Sequence, residues 1–62
     1  MDYSKAHKDA DKKFYLIKGE PYSNQVKIIN DNLKETDNPG ERYIWECVRC
    51  RADAQHRNKG AS

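Results

Sequence analysis

Residues 37–48, DNPGERYIWECV, decide the fold, because the turn signal at their start can open either a strand or a helix. Pro39 then Gly40 suits the two central positions of a type II turn, where only the second needs positive φ. On that reading a strand begins at Arg42 and alternates Tyr43, Trp45 and Cys47 onto one face, with aromatic and β-branched content that suits a pleated sheet. Alternatively Asn38 caps a helix, with Pro39 at its first position and Glu41 at its third, a variant of the capping box. Arg42 to Val48 is then helical from the outset.

Downstream the two readings converge. RCRADAQHRNKG, from Arg49 to Gly60, is helical by propensity, with basic residues in its last turn and Gly60 as a terminator. Helical spacing places Tyr43, Cys47, Cys50 and Ala54 in one stripe, with Ile44 and Val48 beside it. Arg42, Glu46, Arg49, Asp53 and Arg57 share the opposite, charged face.

Upstream, Tyr22, Val26, Ile29 and Leu33 form a helical stripe, but three β-branched residues in Val26, Ile28 and Ile29 favour a strand over residues 25–30. The cluster Asn30, Asp31 and Asn32 reads as a turn after it. Gly19 to Asn24, GEPYSN, is a loop by composition, and Phe14 to Ile17 is a short apolar run, FYLI. Residues 1–13 alternate lysine with aspartate around Ala6 and Ala10, which predicts a flexible or frayed N-terminal arm ahead of one small domain over residues 14–60. The expected fold is small α+β, a short β-hairpin or small antiparallel sheet packed on a C-terminal amphipathic helix. A three-helix bundle built from the stripes Tyr3 to Ile17, Tyr22 to Leu33 and Tyr43 to Ala54 is the alternative.

Composition narrows the function. A chain of 62 residues, 35% apolar and 35% charged, has a thin core and gains from a metal, a disulfide or a partner. Twelve basic residues face ten acidic ones, so any nucleic-acid contact depends on local clustering. Arg42, Arg49, Arg51 and Arg57, with Trp45 among them, are the candidate partner- or nucleic-acid-binding residues. No apolar run has the length of a membrane span and no secretory leader is evident, which points to a cytoplasmic protein. No catalytic constellation or phosphate-binding loop is present, so a binding protein is expected rather than an enzyme.

The pair Cys47 and Cys50 admits three roles: half of a zinc site, a dithiol redox centre, or two small buried groups on the helix stripe. His56 is the nearest further zinc ligand and His7 a distant fourth. The run Cys47, Val48, Arg49, Cys50, Arg51, Ala52, Asp53, Ala54, Gln55, His56, Arg57 resembles the C-terminal end of DksA/TraR-type zinc fingers, where a second CxxC leads into a polar, basic helix. The resemblance implies a zinc-binding transcription regulator that contacts RNA polymerase, with Cys47 and Cys50 as the second ligand pair. The family's first CxxC has no counterpart in this chain. The same run is similar to the closing CxxC of phage endonuclease VII-type zinc sites. A small regulatory protein that docks on a larger protein, RNA polymerase or other transcription machinery, is therefore the leading expectation, with direct nucleic-acid binding and a zinc or redox module as alternatives.

Overall fold

The computed structural model describes the backbone of residues 3–61 and the side chains of residues 3–59. It contains three helices, α1 (Tyr3–Ile17), α2 (Tyr22–Glu35) and α3 (Pro39–Ala61), and no strand among the described residues. The α+β expectation, with its hairpin or sheet, is thereby overturned in favour of the three-helix alternative.

Residues 37–48 show why. Asn38 Oδ1 accepts the Gly40 and Glu41 N–H groups at 2.8 and 3.2 Å. Its carbonyl accepts Arg42 N–H at 3.0 Å, the first bond of the α3 ladder. Two otherwise orphaned helix donors are satisfied by one side chain. No described glycine has positive φ, so the type II turn does not form. The reciprocal arm of a capping box is absent, because the Asn38 N–H donates to Thr36 Oγ1 at 3.4 Å.

The strand expected over residues 25–30 is likewise part of α2. β-Propensity is worth only about 1 kcal/mol across its whole scale and yields to packing, and the stripe of Tyr22, Val26, Ile29 and Leu33 lets α2 bury Ile29 completely. The Asn30 to Asn32 cluster does not break the helix. Asn32 Nδ2 donates to Ile28 O at 2.8 Å, and Asn30 Oδ1 accepts from Arg49 on α3 at 3.0 Å. At the N-terminus, the segment expected as an arm is helical from Tyr3, and Ala6 and Ala10 lie in the core. Gly60 does not end α3, which continues through Ala61.

Helix α3 is the spine. It packs against α1 and against α2, while those two scarcely meet each other. Tyr3 and His7 lie against Tyr43, and Asp11 against Arg51, so α1 runs in the same direction as α3. Tyr22 meets Asp53 and Leu33 meets Arg42, so α2 runs the opposite way.

The core stripe of α3 is Ile44, Val48 and Ala52, buried against Ala6 and Ala10 of α1 and Ile29 of α2. It lies one position along from the stripe singled out by sequence. Tyr43, Cys47 and Ala54 are half-buried and Cys50 is exposed. Gln25 is the one buried polar residue among those described, at 2% exposure. Its Nε2 lies 3.0–3.2 Å from the carbonyls of Ile17, Lys18 and Glu20, and 3.4 Å from Gln55 Oε1. Two amide hydrogens shared among these acceptors tie the end of α1 and its loop to the start of α2.

Candidate docking surface

Three of the arginines expected to face a partner are struts between helices. Arg42 donates to Leu33 O at 3.1 Å and so caps the C-terminus of α2. Arg49 donates to Asn30 Oδ1. Arg51 pairs with Asp11 through Nε at 2.5 Å, and its other nitrogens reach the carbonyls of Cys47 and His7 at 3.4 Å. Arg57 is exposed and lines a cavity of about 340 Å³ with Tyr22, Cys50, Asp53 and His56. Trp45 is half-buried at the edge of the core, with Lys13 Nζ 5.0 Å from its ring centre.

Of the proposed zinc ligands, Cys50 and His56 line one cavity, but the set is not gathered around a common point. Cys47 is half-buried, Cys50 is exposed, and both are free thiols. His56 stacks on Tyr22, with ring centres 4.1 Å apart and planes at 15°. His7 stands edge-on to Tyr43, its Nε2 3.3 Å from the Tyr43 hydroxyl. Among the described residues no group of three or more His, Cys, Asp or Glu side chains is placed to hold a metal ion.

Two tyrosines carry perturbed hydroxyls. Tyr22 donates to Asp53 Oδ1, and that hydrogen bond, then partial burial, then the Asp53 charge raise its pKa above the usual 10.0, with Arg49 opposing. Tyr43 is raised as well, first by burial and then by the charge and hydrogen bonding of Cys47, with Tyr3 adding to it. Each hydroxyl sits at a helix contact, that of Tyr22 between α2 and α3 and that of Tyr43 between α3 and α1.

The feature that sequence reasoning missed is on α1. The large apolar residues that stand out in solvent are Tyr3, Tyr15 and Leu16, at 60%, 67% and 82% exposure, and all belong to this helix. Helical periodicity sets Lys8 and Lys12 between Tyr15 and Leu16 on the outward side. Leu16 borders a cavity of about 370 Å³ whose other walls are Asp9, Lys12, Lys13, Glu41 and Ile44. Tyr15 holds Lys18 Nζ 4.4 Å over its ring. The signal was FYLI itself, since four consecutive residues of a helix span more than its inward face and some must point to water.

Comparison with protein-family models, with curated proteins and with solved structures finds no match for this chain. No helix among the described residues is long and apolar enough to cross a membrane.

Proposed function

We propose that this is a small, non-enzymatic regulatory protein that docks through the outward face of α1 onto an acidic, partly apolar surface of a larger protein. The observation that carries this reading is the exposure of Leu16 and Tyr15 on a helix whose fully buried contacts are alanines. Large apolar side chains left in water beside a basic row are the features of an interface anchor with a charged rim. Lys8 and Lys12 supply that rim, with Asp9 and Glu41 on the other walls of the cavity that Leu16 borders, and Asp11 is engaged by Arg51. The CxxC-to-helix resemblance makes RNA polymerase the first partner to test.

In a binding assay with purified bacterial RNA polymerase, Leu16→Asp is expected to weaken binding by at least about tenfold, roughly 1.4 kcal/mol. Arg57→Ala should leave it nearly unchanged. A folded Leu16→Asp protein that binds as tightly as the parent overturns the α1 reading, and absence of binding by the parent overturns the choice of partner. The nucleic-acid reading loses support from the arginines, because Arg42, Arg49 and Arg51 are occupied within the fold. Its signature is affinity for DNA or RNA that falls steeply with salt and is indifferent to Leu16.

A further inference from the structure

Lys5, Asp9, Lys12 and Leu16 stand on one flank of α1, at spacings of four, three and four residues that keep them in a narrow stripe. Lys5, Lys12 and Leu16 are exposed and Asp9 is half-buried. The stripe edges a groove against the start of α3. One cavity, of about 200 Å³, has Lys5, Ala6, Asp9, Glu41 and Ile44 among its walls. The next, of about 370 Å³, shares Asp9, Glu41 and Ile44 and runs on to Lys12, Lys13 and Leu16.

Leu16 thus stands in water at one end of a groove whose other end is walled by Ala6 and Ile44. It cannot reach that end itself, since eleven residues of helix separate Leu16 from Lys5, about 16.5 Å along the axis. A second copy can deliver its own leucine there. Spacings of four, three and four read the same from either direction, so two antiparallel copies set residue 5 against 16 and residue 9 against 12, and a two-fold axis makes each contact twice. The partner's Leu16 then meets the carbon stem of Lys5 and the Ala6–Ile44 wall, and Lys12 meets the partner's Asp9. A parallel pair would set lysine on lysine and aspartate on aspartate, a costly juxtaposition of like charges.

We infer that two copies of this chain pair through this flank as an antiparallel, two-fold dimer, with Leu16 of each seated on the other and Lys12 of each against the partner's Asp9. The flank carries both signs of charge, which is what a surface needs to be complementary to itself. A contact built on one pair of helices is small, so the dimer is weak, with Kd on the order of 0.1 mM. Pairing covers Leu16. Resting on the docking reading, it follows that a larger protein and a second copy exclude one another at this face.

The test is sedimentation equilibrium of the whole chain alone, at concentrations on either side of that Kd. A monomer–dimer equilibrium is expected. Leu16→Ala, Lys12→Glu and Asp9→Lys should each weaken pairing at least about tenfold while circular dichroism stays helical. An equimolar mixture of the Lys12→Glu and Asp9→Lys chains should pair about as tightly as the parent, because the mixed dimer restores both opposite-sign contacts. A parent that stays monomeric well above that Kd, a Lys12→Glu chain that pairs as tightly as the parent, or a mixture that stays monomeric overturns the dimer. No polymerase is present in this measurement, so its failure leaves the docking reading intact, and a failed docking assay leaves the dimer intact.

Discussion

Where α2 meets α3, the buried contact is a fully enclosed isoleucine, Ile29, supported by half-buried Tyr22 and Leu33; where α1 meets α3, it is two alanines, Ala6 and Ala10, supported by half-buried Phe14 and Ile17. Enclosing an isoleucine is worth roughly 1.5–3 kcal/mol, against about 0.8 kcal/mol for each group of methyl size. The α1 seam adds the Arg51–Asp11 pair, but its side chains are 26% and 70% exposed, and such a pair contributes about 0–1 kcal/mol. Helix α1 thus encloses fully only small residues, half-buries Phe14 and Ile17, and leaves Tyr15 and Leu16 in solvent. It is held less firmly than α2 and offers more apolar surface to a partner, and one allocation of residues produces both properties.

The contrast can be broken most directly at Ile29. Ile29→Ala is expected to cost about 3 kcal/mol in urea denaturation, a large share of the stability of so small a domain. If Ala10→Gly costs as much, the two seams are equivalent and the contrast fails. Gln25→Ala comes next, at about 2 kcal/mol, because it strips donors from the carbonyls of Lys18 and Glu20 in an enclosed setting. Ile17 O suffers less, since it also accepts the Glu20 N–H at 2.9 Å.

Hydrogen exchange sharpens the comparison. Amides of α1 should exchange about tenfold faster than those of α2, and Arg51→Ala should widen the gap by roughly 0.5 kcal/mol. Equal protection in both helices would remove the claim that α1 is the looser one.

The smallest effect is in the pH dependence. The folded state holds the Tyr22 and Tyr43 protons more tightly than the unfolded chain, so their stabilisation is complete below pH 10 and is lost as pH climbs through the raised folded values. Melting temperature should fall in that window, and Tyr22→Phe should fall less steeply than the parent. An unchanged slope would assign the loss to groups other than Tyr22.

How much of this was legible in the sequence differs by element. The Asn38 cap was legible because a side-chain acceptor, a proline and a glutamate stand at fixed offsets, and the structure uses that cap. The helical stripe from Tyr22 to Leu33 was legible too, but the local strand preference of Val26, Ile28 and Ile29 obscured it. Propensity reads each residue alone, whereas burial rewards the whole stripe. On α3 the error was one of phase. Tyr43, Cys47, Cys50 and Ala54 and the stripe of Ile44, Val48 and Ala52 are neighbours on the same wheel, and only the positions of α1 and α2 decide which goes inside.

The candidate site was the least legible part. Nothing local distinguishes an arginine that will cap Leu33 O or pair with Asp11 from one that will meet a partner. The burial of Gln25 was equally hidden, since its acceptors come from a loop whose path depends on the packing of all three helices.

The spine arrangement also sets an order in time. Helices α1 and α2, of 15 and 14 residues, are of a length that is marginal for a helix alone in water, and they scarcely touch each other. A ribosome emits them before Ile44, Val48 and Ala52, the residues they pack against. They leave the tunnel with no partner and wait as fluctuating chain, because the helix on which they assemble follows both of them in the chain. A fragment ending at Asn38 should therefore show little helix in circular dichroism.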